Sequence, residues 1–198
     1  MPDRIDDAKR AQRAERRERR QQLSDANRTT AEAGITRQLD ALVAAHDARS
    51  VSCYLSTPME PGTRRFVTGA IDRGIRVLLP IMRPDGLLDW VVADPDAPEH
   101  EASLGVTEPE GELLGPIAVG DVDLMIIPAA SVDRTGMRLG WGRGYFDKTI
   151  GSMEKPPPVY AVIYDSEFVD ELPRDVHDQY VTGVVTPTRT LTLAPAGR

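Results

Sequence analysis

Residues 123–148 constrain the fold of this chain more than any other segment. They open with a short run of branched apolar residues at 124–127, which predicts a strand buried on both faces. A polar turn at 131–136 follows, and three glycines at 140, 142 and 144 then alternate with larger residues before a predicted helix that starts at Tyr145. In such a strand–loop–helix unit, backbone N–H groups and a helix N-terminus converge on an anion. The segment therefore predicts a phosphate-binding loop.

The spacing of these glycines differs from that of two familiar nucleotide-binding motifs. G-x-G-x-G before Tyr-Phe-Asp is neither the dinucleotide fingerprint G-x-G-x-x-G nor the P-loop G-x-x-x-x-G-K-[ST]. By themselves the glycines fit either a ligand-binding loop or a glycine-rich turn. The longer string RLGWGRGYFD, from Arg138 to Asp147, follows Asp133-x-x-Gly136 and closely resembles the signature of 5-formyltetrahydrofolate cyclo-ligases, also called methenyltetrahydrofolate synthetases.

Composition limits the classes of protein that this chain could belong to. Its 198 residues are enough for one domain, so we expect a single domain over residues 1–198, with an extended tail from about 188. The net charge of −7 argues against general nucleic-acid binding. No apolar run approaches the length of a membrane span. Cys53 is the only cysteine, which excludes an internal disulfide and fits a reducing cytoplasm. We expect a cytoplasmic monomer or weak homodimer.

Residues 4–23 are rich in Ala, Arg, Glu and Gln and contain no Gly or Pro, so they predict a helix. Its few apolar residues leave three interpretations open: a solvated charged helix, a basic arm for RNA, or a phosphate-binding face. Interspersed acids weaken the RNA interpretation. Cyclo-ligases begin with a Lys-x-x-x-Arg helix, and Lys9 and Arg13 match that pattern, with Arg20 further on. Residues four apart share one helical face, so the resemblance implies that both cations bind ATP phosphates.

The remaining pattern alternates helices and strands. Ser24-Asp25 predicts a helix cap before a second helix over 28–46, and a third helix is predicted over 63–73. Strands are predicted at 51–56, 75–80, 87–92, 159–164 and 181–186, and residues 93–120 are predicted to be a long surface excursion. Such alternation predicts an α/β fold, namely a three-layer α/β/α sandwich around a largely parallel, Rossmann-like sheet.

The loop after the first predicted strand carries a candidate substrate-binding carboxylate. Ligands of open α/β sheets bind beyond the carboxyl ends of the strands, and Glu60 lies in such a loop, although a lone glutamate is more often simply exposed. Ser56, Glu60 and Thr63 match a Ser-x-x-x-Glu-x-x-Thr string of the family, with Leu55 beside it. The resemblance implies that Glu60 accepts hydrogen bonds from the pterin of a reduced folate.

The resemblance spans Lys9 to about Thr186 and implies a specific reaction. The substrates would be ATP and 5-formyltetrahydrofolate, and the product 5,10-methenyltetrahydrofolate. Tyr145 and Arg143 would be catalytic, and Asp147 and Asp178 would hold Mg²⁺. The implied substrate contacts are Leu55, Glu60, Trp141 and Tyr145. The implied ATP contacts are Lys9, Arg13, Arg138, Leu139, Gly140, Trp141, Gly142, Arg143, Gly144, Tyr145 and Phe146.

Two departures from the family pattern keep other functions open. Phe146 stands where the family commonly has a second tyrosine, so one hydroxyl is missing, and Arg143 stands where a small residue is frequent. A non-catalytic module that binds nucleotide or folate is therefore an alternative to the ligase. A phosphosugar isomerase or acyl-CoA transferase on a similar fold is a third interpretation, although Lys9, Arg13 and Asp147 have no evident use in that chemistry.

Overall fold

The computed structural model describes residues 2–101, 107–175 and 177–193. Its α-helices are α1 (Pro2–Gln21), α2 (Asp25–Ala45), α3 (Arg64–Asp72) and α4 (Tyr145–Gly151). The predicted cap of α2 is present, because the Ser24 side chain accepts a hydrogen bond from the backbone N–H of Asn27. The helices predicted from periodicity and caps are therefore confirmed, with ends displaced by a few residues.

The strands form one large sheet and two small ones. The first six are β1 (Ser50–Ser52), β2 (Arg76–Met82), β3 (Leu88–Val92), β4 (Glu99–Glu101), β5 (Thr107–Pro109) and β6 (Leu124–Pro128). The others are β7 (Ser131–Asp133), β8 (Arg138–Leu139), β9 (Val159–Val162), β10 (Phe168–Val169), β11 (Gly183–Val185) and β12 (Thr190–Thr192). The seven-stranded sheet has the order β12-β11-β9-β6-β1-β2-β3. Its inner strands pair in parallel, whereas β3 and β12 are antiparallel edges.

The central strands bury both faces, as the branched apolar run at 124–127 predicts. Leu124 and Ile126 pack with α2 and α3 on one side of the sheet, whereas Met125 and Ile127 pack with Ile150 of α4 on the other. Because successive residues of a strand point to opposite faces, one apolar run supplies both cores. The predicted α/β class and three-layer arrangement are confirmed.

Several segment predictions were wrong in detail. The predicted polar turn at 131–136 contains β7, which pairs with β8 and β10, and the excursion at 93–120 contains the β4–β5 hairpin. The strand predicted at 51–56 is only β1, and β12 follows the strand that was predicted to be the last. Residues 194–198 of the predicted tail lie outside the described residues. These strands are only two or three residues long, which is too short to show the apolar alternation that would identify them.

Helix α1 packs through basic residues rather than through an apolar stripe. Lys9, Arg16 and Arg20 are buried, although all three belong to a helix with little apolar surface. Long basic side chains can cover protein surface with their apolar stems. The interpretation of α1 as a merely solvated helix was therefore wrong. Across the described chain, no helix combines the length and apolar character that crossing a membrane requires. Cellular location and oligomeric state stay predictions.

Candidate functional site

The glycine loop lies where several parallel strands end. It connects β8 to α4, and two of its glycines have positive φ angles, 94° at Gly142 and 72° at Gly144. Residues with a side chain rarely adopt positive φ angles, which explains why glycine occupies these two positions. Leu55 after β1, Met82 at the end of β2 and Pro128 at the end of β6 line the same region. The loop therefore occupies the edge of the sheet at which ligands of open α/β folds bind.

An apolar cavity of about 170 Å³ opens on one side of this loop. Its wall combines residues from the ends of β1 and β2, the β4–β5 hairpin, the glycine loop and α4. The lining residues are Tyr54, Leu55, Glu60, Leu79, Pro80, Met82, Leu88, Thr107, Pro109, Pro128, Arg138, Gly140, Trp141, Arg143, Gly144, Tyr145, Phe146 and Asp147. A cavity with this lining suits a flat, largely apolar ring with a few polar edges.

A polar cavity of about 780 Å³ adjoins it on the side that faces α1. Charged and small residues dominate its wall: Asp6, Lys9, Arg13, Arg138, Leu139, Gly140, Gly142, Gly144, Asp147, Lys148, Gly151, Ser152, Asp175, His177, Asp178 and Gln179. Arg138, Gly140, Gly144 and Asp147 line both cavities. A ligand in either cavity would therefore contact the same short stretch of chain.

Arg138 and Asp147 form an ion pair in this shared wall. An Nη of Arg138 donates to Oδ1 of Asp147 over 2.5 Å, and the backbone N–H of Gln179 donates to the same oxygen over 3.2 Å. Burial lowers the pKa of Arg138, while the nearby carboxylates of Asp147 and Asp178 oppose that effect. Within the described chain, the buried Nε of Arg138 has no hydrogen-bond partner. The pair places a guanidinium, balanced by the carboxylate of Asp147, between the two cavities.

Two cations of α1 reach the polar cavity. Lys9, which is only 7% exposed, donates to Asp178 over 2.5 Å. Arg13 donates through Nε to the carbonyl of Gly140 over 2.7 Å, and a Cβ at Gly142 would lie 3.3 Å from its Cζ. Burial lowers the pKa of Arg13, against the opposing effect of Asp178. The predicted pairing of Lys9 and Arg13 on one face of α1 thus brings both beside the glycine loop.

The loop that carries Glu60 is held by its own polar residues. The backbone N–H of Thr57 donates to Oε2 of Glu60 over 2.9 Å, and that of Thr63 donates to the Ser56 hydroxyl over 3.1 Å. Partial burial raises the pKa of Glu60, while the Thr57 hydrogen bonds and the charge of Arg20 lower it less. Glu60 and Leu55 both line the apolar cavity, as the substrate-binding prediction requires.

Arg20 contacts four other segments of the chain around this site, and sequence reasoning assigned it no such role. Its Nε and an Nη donate to the two carboxylate oxygens of Glu167, each over 2.7 Å, and that Nη also donates to the carbonyl of Ala129 over 2.8 Å. Its guanidinium lies 4.9 Å from the centre of the Trp141 ring and donates to the carbonyl of Met59 over 3.3 Å. The spacing of basic residues along α1 is the only sequence signal that could have identified this face.

The residues that were predicted to bind ATP divide between the two cavities. Four of them line only the polar cavity: Lys9, Arg13, Leu139 and Gly142. Four others line only the apolar cavity: Trp141, Arg143, Tyr145 and Phe146. Tyr54, Met82, Thr107 and Pro109 also line the apolar cavity, although sequence reasoning gave them no part in it.

The two carboxylates that were predicted to hold Mg²⁺ both line the polar cavity. Asp147 and Asp178 each use one carboxylate oxygen for a cation and a backbone N–H. No grouping of three or more His, Cys, Asp or Glu side chains suited to a metal occurs in the part of the chain that the structure describes. The site therefore offers two carboxylates, and any further oxygen ligands would come from a phosphate or water.

Fold and site together define a three-layer α/β protein in which one glycine loop separates a polar cavity from an apolar one. The model of the 5-formyltetrahydrofolate cyclo-ligase family matches residues 5–187. The chain is 36% identical over 146 residues to the 5-formyltetrahydrofolate cyclo-ligase of Mycolicibacterium smegmatis, which covers 71% of this chain and 75% of that protein. It is 30% identical over 147 residues to the one from Escherichia coli K12, covering 72% of this chain and 80% of that protein. This chain belongs to the 5-formyltetrahydrofolate cyclo-ligase family.

Two solved structures have the same fold. The NMR structure of Aquifex aeolicus 5,10-methenyltetrahydrofolate synthetase matches with a TM-score of 0.79 at 24% identity, covering 96% of this chain and 94% of that one. The synthetase of Mycoplasma pneumoniae matches with a TM-score of 0.72 at 19% identity, covering 90% of this chain and 98% of that one. At these identities the similarity supports the architecture alone.

Proposed function

We propose that this protein converts 5-formyltetrahydrofolate and ATP to 5,10-methenyltetrahydrofolate, ADP and phosphate. The observation that carries the proposal is the shared wall: Arg138, Gly140, Gly144 and Asp147 line both the apolar and the polar cavity. A reaction that joins a folate to a phosphoryl group needs two such sites in contact. Membership of the cyclo-ligase family supports the same assignment.

The polar cavity is the proposed ATP site. Lys9, Arg13 and Arg138 supply positive charge around it, and the glycine loop supplies backbone surface that a phosphate can approach closely. Phosphoryl transfer asks mainly for positioning and charge neutralisation. The guanidinium of Arg138, which lines both cavities, is suited to stabilise the negative charge that develops at their junction during transfer.

The apolar cavity is the proposed site of the reduced pterin. Glu60 would accept hydrogen bonds from the adjacent N–H donors of the pterin, and Leu55, Trp141 and Tyr145 would pack against the ring. Replacing water around Glu60 by a donor-rich ring edge offsets part of the cost of burying its carboxylate. Tyr145 lines the apolar cavity beside the shared residue Gly144, so its hydroxyl is suited to orient the formyl group.

Asp147 and Asp178 would hold the Mg²⁺ ion. Within the described residues, the second oxygen of each carboxylate has no hydrogen-bond partner, and both side chains face the polar cavity. Such a pair fits an ion that takes one or two carboxylates and completes its coordination with phosphate oxygens and water. When bound, the ion would neutralise phosphate charge. Lys9 would then exchange its bond to Asp178 for a bond to phosphate.

The proposed chemistry has two steps. The formyl oxygen attacks the γ-phosphorus of ATP, a phosphorus–oxygen bond forms, and ADP leaves. N10 of the folate then attacks the activated formyl carbon and gives up its proton to the departing phosphate, and the carbon–oxygen bond breaks as the ring closes. Arg138 stabilises the charge on the transferring group, while the apolar wall around Tyr145 and Phe146 excludes water from the activated intermediate.

The decisive experiment follows methenyl absorbance after 5-formyltetrahydrofolate is mixed with purified protein, with and without ATP and Mg²⁺. We expect product only when all components are present. Loss of turnover in Asp147→Asn, with folding retained, would support the assigned metal ligand. A wild-type protein that binds ATP and folate but forms no product would instead be the non-catalytic binder, which Phe146 in place of a tyrosine favours. In that case Phe146→Tyr tests whether the missing hydroxyl is the cause.

A further inference from the structure

Glu108 lies in β5 between Thr107 and Pro109, the two hairpin residues that line the apolar cavity. Its side chain is only 6% exposed and is not among those that line the cavity in the described chain. It contacts the end of β2 instead, where its Oε1 accepts a hydrogen bond from the backbone N–H of Met82 over 2.7 Å. Met82 is the last residue of β2 and lines the same cavity. Glu108 therefore joins two parts of the cavity wall.

The N–H of Met82 is a donor on the edge of β2 that faces β1. Residues of a strand direct their backbone groups alternately to its two edges, and the carbonyl of Leu78 accepts from Cys53 on the β1 side. β1 pairs with β2 no further than Leu78. Pro80 has no N–H, so Met82 provides the next donor on that edge. The Glu108 carboxylate thus takes the place that a longer β1 would fill.

A buried carboxylate is a costly group for this task. The basic side chain closest to it in the described chain is His100, whose Nε2 lies 3.9 Å from Oε2 of Glu108 and which is half exposed. Burying a carboxylate without a full counter-charge costs free energy, although a hydrogen bond to a charged acceptor is stronger than one to a neutral oxygen. The arrangement therefore lowers stability in return for a firm attachment of the hairpin, and local costs of this kind are typical of functional sites.

We propose that Glu108 is a positioning residue of the folate site. By holding β5 against the end of β2, it fixes the distance between Met82 and the hairpin, and so the width of the apolar cavity. This inference rests on the proposed function of that cavity. Dispersion contacts weaken steeply when a gap of about 1 Å opens, so a flat ring would lose affinity if the hairpin moved outward. Glu108 thus acts on the folate through its neighbours, without touching it.

The test compares wild type, Glu108→Gln and Glu108→Ala in the methenyl assay and in calorimetric titrations with 5-formyltetrahydrofolate. Glutamine keeps an oxygen that can accept from Met82, whereas alanine removes it. We expect Glu108→Ala to raise the KM and the Kd for folate roughly fivefold, the effect of one net hydrogen bond, with the KM for ATP unchanged. Glu108→Gln should keep both values within about twofold of wild type. A role confined to stability would instead reduce the folded fraction, and with it the apparent kcat, at an unchanged KM.

Two further variants separate positioning from stability. Glu108→Asp keeps the charge but withdraws the carboxylate by one methylene, so it should raise the KM for folate even if Glu108→Ala fails to fold. Asp123→Ala is the matched control, because Asp123 accepts from the backbone N–H groups of Arg49 and Ser50 at the start of β1 and lines neither cavity. It should lower Tm and leave both KM values unchanged.

The inference and the proposed reaction fail in different ways. Unchanged KM and Kd values for folate in Glu108→Ala and Glu108→Asp, or equal losses for folate and ATP, would overturn the inference and leave the reaction intact. A wild type that binds 5-formyltetrahydrofolate but forms no methenyl product would overturn the reaction alone, because the Kd values would still report the effect of Glu108. The two failures are therefore distinguishable.

Discussion

The buried pair of Arg20 and Glu167 should be a major determinant of stability. Their side chains are 1% and 4% exposed, and two parallel hydrogen bonds of 2.7 Å join them. The backbone N–H of Tyr164 also donates to Glu167, and the carbonyl of Ala129 accepts from Arg20. Replacing one partner leaves the other as a buried charge without its counter-ion. The perturbation therefore removes more than one contact.

Loss of one partner of a buried ion pair costs about 3–5 kcal/mol, because the remaining charge stays desolvated. We expect Arg20→Met and Glu167→Leu each to lower the free energy of unfolding by this amount. For a chain of this length that corresponds to a fall in Tm of roughly 6–20 °C. The double variant should lose far less than the sum of the two, since it removes both charges together.

Urea denaturation, followed by tryptophan fluorescence and far-UV circular dichroism, measures these changes. Asp40→Asn is the control, because Asp40 pairs with Arg73 on the surface, at 38% and 46% exposure, and its loss should cost no more than about 1 kcal/mol. Strict additivity of the two buried substitutions, or single losses as small as that of the control, would refute the reasoning. Either result would mean that water or another charge compensates the remaining partner.

Three further predictions concern the cavities. Lys9→Ala should weaken ATP binding roughly 10- to 100-fold by calorimetry, as expected for a lost charged hydrogen bond, while Arg10→Ala on the exposed side of α1 should not; equal losses for ATP and folate would contradict this. Glu60→Gln should raise the KM for folate. Burial raises the pKa of Glu60, so its charged form disfavours folding. Glu60→Gln should therefore be more stable than wild type above that pKa and should lose this advantage as the pH falls. A variant that is less stable than wild type at pH 8 would contradict this prediction. Gly142→Ala should raise the KM for ATP, since its φ is +94° and its Cβ would crowd Arg13, whereas Gly115→Ala, with open space around it, should not.

Local pattern was sufficient for much of the fold. The branched run at 124–127 predicted a strand that is buried on both faces, and Leu124 and Met125 indeed pack into opposite cores. The Ser24 cap predicted a helix start that is present, and the strands predicted at 75–80 and 87–92 both occur as an antiparallel pair. These features depend on neighbours within a few residues, so the sequence contains the interactions that produce them.

Non-local pairing was beyond the reach of such patterns. β7 is a three-residue strand whose partners β8 and β10 both follow it in sequence, and nothing in its own residues distinguishes it from the polar turn that was predicted. The burial of basic residues on α1 also depends on residues that are distant in sequence. Arg20 is buried because Glu167, which is 147 residues away, neutralises it. Its burial therefore depends on a residue that the helix itself does not contain.

The sequence by itself determined the class of fold, the position of the glycine loop and the membership of a family, because hydrophobic period, caps and a contiguous signature are local properties. Only the tertiary structure decided how the loop is used. It directs Gly142 toward Arg13 and the polar cavity, and the adjacent Arg143 toward the apolar one. Neighbours in sequence face different cavities there, because the direction of each side chain depends on backbone angles and on packing against distant segments.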